Sequence, residues 1–363
     1  MIAADRPVHR PHDAKLLWLD SRDCLTHVPR DSFARLLRAG DLVVANDAAT
    51  LPASLQGTHS RTGASIEVRL AARRSLDVGD VREFDAIVFG GGDFRTPTEN
   101  RALPPALLPR DALELGPLRA DVRRLLDHPR FVTLRFEGTP DRIWAGLARH
   151  GKPIQYAHHR TELALWDVWT SNAALPVAFE PPSAGFLLSW KMLGEIRDRG
   201  AAFATLTHSA GISSTGDLEL DRRLPLDEPY HIPRITAQQL RSAKRAGARV
   251  IAVGTTVVRA LEHAATSQET VRAGFGLATQ RIARHSTLRV VDAILSGVHE
   301  PGTSHFELLQ GFANRPALEQ MSRELQTHLY KTHEFGDSVL IEKSRAKYEA
   351  VRAGHAVLHS ICG

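Results

Sequence analysis

Several chemistry-bearing residues stand directly after short apolar runs. Gly254-Thr255-Thr256 follows "VIAV" and opens a segment whose Val258, Leu261 and Ala265 fall on one helical face. A helix start presents unpaired N–H groups and the positive end of the dipole, so a glycine and two hydroxyls placed there suit a carboxylate or a phosphate. The same three residues also make a tight turn with Thr255 as N-cap, and the two readings stay open at this level. His208 closes "AAFATLT" ahead of the small-residue loop "SAGISSTG", and His299 lies in "SGVHEPGT" after another apolar run. Imidazoles at strand ends suit proton transfer near neutrality. Glu228 in "DEPYH" and Asp337 in "HEFGDSVL" are the carboxylates available to pair with them, with solvated loop charge as the plain alternative.

Other chemistries fit the pattern poorly. A metal site would gather His208, His299, His305 and His333, but no two of these have the i, i+4 spacing of a helical ligand pair. Ser209 or Ser213 as a hydrolase nucleophile lacks the G-x-S-x-G elbow, and the Gly254 loop lacks the lysine and glycine spacing of a P-loop.

Positioning these residues requires a sheet whose strands end in loops on one side. A helix, a glycine and an apolar strand recur in that order. Residues 32 to 39 read as a helix capped by Asp31 and stopped by Gly40, followed by a strand at 42 to 45. Residues 189 to 200 lead into the strand at 201 to 207, and a helix capped by Thr236 leads into "ARVIAV". Further on come a strand at 288 to 295, helices at 305 to 312 and 317 to 330, and a final strand "SVLIEK". This is the grammar of an α/β layer with a largely parallel sheet, which places its sites in the loops after the strands. Between residues 57 and 145 the texture changes to alternating strands, "SIEVRLAAR", "FDAIVFGGG" and "RFVTLRFEG", with a Pro-rich extended loop at 97 to 109. The expected architecture is therefore an α/β domain, residues 1–56 and 146–363, interrupted by a β-rich, barrel-like insert at 57–145.

Bulk composition agrees with a folded globular protein of this size. The 363 residues are 43% hydrophobic and 24% charged, enough for about two domains. The net charge of +5 comes from Arg scattered along the chain, which permits an RNA or phosphate partner without demanding one. Cys24 and Cys362 alone exclude a thiolate cluster and argue against a disulfide framework. With no signal-like start and no long apolar run, a cytoplasmic protein without a membrane partner is expected, and nothing demands more than a monomer.

Taken in order, "GDLVVANDAATLPASL", "PPSAGFLLS", "TLTHSAG", "VIAVGTTVVRALE", "VVDAILSGVHEP" and "FGDSVLI" resemble the S-adenosylmethionine:tRNA ribosyltransferase-isomerase family of queuosine biosynthesis. The resemblance covers nearly the whole chain, and the β-rich insert falls where that family carries its second domain. It implies transfer and isomerisation of the ribosyl part of S-adenosylmethionine onto the 7-aminomethyl-7-deazaguanine of tRNA. The product would be epoxyqueuosine, with adenine and methionine released, S-adenosylmethionine as co-substrate and no metal. Asn46, Asp47, Ala184, Gly185, Gly254, Thr255, Thr256 and Arg259 match the family's motifs and are the implied S-adenosylmethionine contacts. His299 is the implied acid/base, with Glu228 or Asp337 as partner, and His208 is the further catalytic candidate.

The chain also departs from that pattern. Ala48, Ala49 and Ser54 stand in motifs where the family shows "NDTR" and "PAR", so two arginines are absent. Leu187 and Leu226 stand where histidines are expected, Ile212 to Thr215 replace a Gly-Ala-Gly-Thr-Phe loop, and Ser296-Gly297 replace Thr-Asn. Such losses remove anion holders and proton carriers. Two further readings therefore accompany the tRNA activity: the same chemistry on a small-molecule acceptor, and a catalytically silent nucleotide- or RNA-binding relative.

Overall fold

A computed structural model of the chain describes residues 2–4, 14–266 and 270–348. At its centre four parallel strands lie side by side in the order Ala202–His208, Leu42–Asn46, Val250–Val253 and Ala293–Gly297. Their side chains alternate between two apolar faces. Leu42, Val44, Val250 and Ala252 join one buried cluster with the helices Arg234–Arg245, Thr255–Ala264 and Arg315–Thr327, while Val43, Ala45, Ile251 and Val253 join another with the helix Trp190–Asp198. Strands apolar on both faces must be covered on both faces, which is why helices flank this part of the sheet.

Antiparallel strands extend the sheet to nine at both flanks. On one side lie Glu228–Ile232 and Gly274–Ala278, and on the other Ser338–Glu342, Lys15–Leu19 and Leu25–Pro29, where only the Ser338–Glu342 to Lys15–Leu19 pairing is parallel. The expected α/β class thus takes the form of a mixed sheet with a parallel middle.

The β-rich region closes into a six-stranded antiparallel barrel made of Ser54–His59, Ser65–Ala72, Glu83–Gly90, Ala112–Leu115, Leu118–His128 and Phe131–Phe136. Closure leaves no free sheet edge. The hairpin Ala112–Leu115 to Leu118–His128 escaped the sequence reading because it turns on Gly116-Pro117 and carries a run of arginines on its outer face. The barrel core, including Ile66, Val68, Leu134 and Phe136, continues into Phe179, Ile212, Leu220 and Leu224 from the α/β part, so the two units share one apolar cluster.

Local details differ from expectation for identifiable reasons. Residues 30 to 36 form a 3-10 helix preceded by Pro29, so Asp31 sits in its first turn and caps nothing. Thr236 lies inside the helix Arg234–Arg245, and its hydroxyl donates to the Thr205 carbonyl at 2.7 Å instead of capping. Residues 288 to 291 stay out of the sheet because the Glu262 carboxylate accepts from the amides of Arg289, Val290 and Val291 at 2.7 to 2.9 Å, leaving the strand to begin at Ala293. Among the described residues no helix is long and apolar enough to cross a membrane. Cys24 is a free thiol, and Cys362 lies outside the described residues.

Candidate active site

The four central strands end together at Asn46, His208, Val253 and Gly297, and a cleft open to solvent lies against those ends. Loops after parallel strands are the expected place for such a site. Its walls come from Glu180 to Ala184, Ala210 to Ser213, Glu228, Gly254 to Thr256, Arg259, and from Ser296, Gly297, His299, Ser304 and His305.

Gly254 shapes one wall. Its φ of +95° with ψ of 155° is open only to glycine, and it sharply ends the strand Val250–Val253 so that the helix Thr255–Ala264 begins at the cleft. Gly254 occupies the N-cap position and no side chain caps this helix, which removes Thr255 as a capping residue. Behind this wall, the Asn46 amide is buried. Its Nδ2 donates to the His208 carbonyl at 2.9 Å and lies 3.4 Å from the Thr256 hydroxyl, and its Oδ1 accepts from the amides of Ala48 and His208. Asn46 therefore clamps two strand ends and reaches Thr256 from below. Asp47 accepts from the Thr207 hydroxyl at 2.7 Å and is not part of the cleft wall, whereas Ala184 lines the cleft with its neighbour Gly185 packed behind.

Glu228 and Arg259 form a buried ion pair. The Arg259 guanidinium also donates to the carbonyls of Leu226, Ala278 and Gln280, and Glu228 accepts from the Gly211 amide at 2.7 Å. Burial pushes the Glu228 carboxyl above its ordinary range even with Arg259 beside it. His208 stands 3.5 Å from Glu228, fully buried, with both ring nitrogens lacking a hydrogen-bond partner. Burial, with Arg259 adding to it, drives its pKa well below 6.5, so the ring is neutral.

His299 lies in the cleft wall with Nε2 3.0 Å from the Ser296 hydroxyl and its ring stacked on His305 at 4.6 Å. Burial first, and the neighbouring His305 second, hold it well below 6.5, and burial takes His305 down to about 4. Both rings are bases, not acids, at neutral pH. Asp337 is elsewhere: its two oxygens accept from the amides of Lys15 and Lys331 at 2.8 Å, tying the Lys15–Leu19 strand to the short strand Lys331–Thr332. The structure therefore brings His299, Glu228, Arg259, Thr255, Thr256, Gly254 and Ala184 to one cleft, keeps Asn46 and His208 directly behind it, and places Asp337 outside its wall.

Glu180 was missed by the sequence reading. It is buried in the cleft wall, accepts a hydrogen bond from the Tyr156 hydroxyl and another from Ser213, and burial raises its pKa to about 7. Tyr156 is itself driven well above 10 by burial and by Glu180. The available signal was an acid between Phe179 and Pro181 immediately after the strand Leu175–Ala178, a place where a purely solvated charge is out of character.

A family model described as "Queuosine biosynthesis protein" matches residues 1–341 of this chain. The chain belongs to that family. Among its relatives are proteins named S-adenosylmethionine:tRNA ribosyltransferase-isomerase. The one from Thermosynechococcus vestitus is 30% identical over 346 residues, 93% of this chain and 92% of its own length. The one from Geobacter sulfurreducens is 30% identical over 349 residues, 94% and 96% respectively. A crystal structure of S-adenosylmethionine tRNA ribosyltransferase from Thermotoga maritima aligns with a TM-score of 0.49 at 22% identity, covering 93% of this chain and 96% of that one.

The residues read from the sequence as departures from the family's motifs are packed or hydrogen-bonded in this structure. Ala48 and Ala49 are buried in a two-strand pairing with Leu175 and Pro176, and Leu187 is buried beside Ile251 and Val253. Leu226 packs on the barrel cluster, and Ser54 donates to Glu67 at 2.8 Å inside the barrel wall.

Proposed function

We propose that the protein transfers and isomerises the ribosyl moiety of S-adenosylmethionine onto the 7-aminomethyl-7-deazaguanine of tRNA, forming epoxyqueuosine and releasing adenine and methionine. The observation that carries this reading is the convergence of the ordered strand-end loops on one cleft that holds two neutral histidines and a carboxyl poised near neutrality. The reaction needs a base for the carbon beside the sulfonium, an acid or hydrogen-bond donor for departing adenine, and exclusion of water. Neutral His299 fits the base. Glu180, which keeps its proton over much of the range below pH 7, fits the donor. The Gly254–Thr256 wall, the open start of its helix and Ala184 fit the polar end of S-adenosylmethionine. Arg259 acts here by holding Glu228, with Asn46 supporting Thr256 from behind. Residues 1–56 and 146–363 are assigned the chemistry, and 57–145 the insert role.

The apolar filling at Ala48, Ala49 and Leu187 favours a second reading, in which the same chemistry serves a small acceptor such as a free 7-deazapurine. Incubation with S-adenosylmethionine and measurement of adenine release distinguish the two. Release that depends on tRNA bearing the aminomethyl-deazaguanine is the expected result. Release with the free base alone would move the protein to the second reading, and no release with either would end both. In the productive assay His299→Ala is expected to lower kcat by about 100-fold or more, the usual scale for a lost general base. Unchanged turnover would remove His299 from that role.

A further inference from the structure

Beyond the cleft already described, the adjoining surface depression shares His299 and His305 with it and runs on to Glu300, His333 and Glu334. At its end two segments far apart in the chain meet. His158 and His159 come from the loop after the helix Pro140–His150, and Glu334 comes from the turn between Lys331–Thr332 and Ser338–Glu342. The His158 Nε2 is 3.0 Å and the His159 Nε2 is 3.5 Å from the same Glu334 oxygen, and one ligand atom from each residue lies within 4.8 Å of the others. Donor atoms on a four-coordinate cation with bonds of about 2.0–2.1 Å sit roughly 3.3–3.4 Å from each other, and the two histidine–carboxylate spacings bracket that value.

His159 is the more weakly held of the two rings: it is buried, and its Nε2 reaches the carboxylate only at the far limit of hydrogen bonding. An ion held between that nitrogen and the carboxylate would replace the long contact with a bond. The rings are otherwise wedged in place: His158 stacks on His333 at 4.2 Å, and His159 packs edgewise on Phe335 at 5.2 Å. We propose that His158, His159 and Glu334 form a binding site for one divalent transition-metal cation of the zinc class. Two imidazoles and one carboxylate make the donor set of a three-ligand site with an open position. These residues are not the strand-end histidines considered from the sequence, and the proposal does not depend on the ribosyl-transfer reading.

The test uses the full chain without a polyhistidine tag, stripped with a chelator and titrated with cobalt(II) while the visible d–d absorption is followed. One equivalent with tetrahedral-type bands is expected. His158→Ala and Glu334→Gln should each weaken cobalt binding more than tenfold with an unchanged far-ultraviolet circular dichroism spectrum. His328→Ala, which breaks a second, surface-exposed cluster of His27, Glu324 and His328, should leave it unaltered. In case those variants fold poorly, His158→Cys provides a gain of signal, a thiolate-to-cobalt charge-transfer band. Wild-type protein that takes up no cobalt overturns the proposal, as does binding that survives both ligand variants, binding lost with His328→Ala, or a folded His158→Cys without the band.

Discussion

Glu180 and the cleft histidines carry opposite pH signatures. The Glu180 carboxyl has an ordinary value of 4.5 and sits at about 7 when folded, because burial disfavours its charge. Below pH 4.5 folded and unfolded chains both hold the proton. As pH rises through 7 only the folded chain bears the cost of a buried charge, which amounts to roughly 3 kcal/mol. Stability from this group is thus lost with rising pH. Glu180→Gln keeps the shape without the charge, so its stability relative to wild type should improve by up to about 3 kcal/mol between pH 5 and pH 8. Urea unfolding at the two pH values measures this, and parallel profiles would contradict it. His299 and His305 act the other way: held below 6.5, they contribute stability above that pH that is lost as pH falls, for His305 towards about 4.

At the level of elements, the joint between the strand Val250–Val253 and its helix depends on one backbone conformation. A Cβ on Gly254 would meet the Ala184 methyl at 3.6 Å, an ordinary contact, so space is not the obstacle. The obstacle is φ +95° with ψ 155°, which side-chain-bearing residues scarcely enter. Gly254→Ala should therefore cost about 1–3 kcal/mol in denaturant unfolding. Adding Ala184→Gly should not restore it, since the strain is in the backbone. Full recovery by that second change would show a steric origin instead. The Glu262 carboxylate illustrates the same level: by taking three successive amides it delays the next strand until Ala293.

In the whole molecule the barrel and the sheet are joined by apolar and ionic contacts. Glu67 accepts from Arg69 at 2.7 Å and from Arg101, all three buried in the barrel wall. Arg69 lies 5.5 Å from the Tyr156 ring centre, and Tyr156 hydrogen-bonds Glu180 in the cleft. Glu67→Gln leaves two buried guanidinium groups without their counter-charge, which should cost about 3–5 kcal/mol. Because the barrel cluster includes Phe179, Ile212 and Leu224 from the α/β part, the loss should lower a single unfolding transition. Calorimetry that resolves an early, separate barrel transition would count against this coupling.

The sequence by itself determined the α/β class, the presence of a β-rich insert and the strand-end loops that wall the cleft. Apolar periodicity and glycine stops are local signals, and the ordered motifs carried the family. Only the tertiary structure decided which of the marked residues meet. Asp337 reads like a catalytic carboxylate, yet it spends both oxygens on backbone amides more than 300 residues apart in the chain, Lys15 and Lys331. Glu180 and Tyr156 carry no local mark of their pairing, nor do His158, His159 and Glu334. Their chemistry comes from burial and from distances between segments far apart in sequence, and neither quantity exists until the sheet, the barrel and their connecting loops have packed.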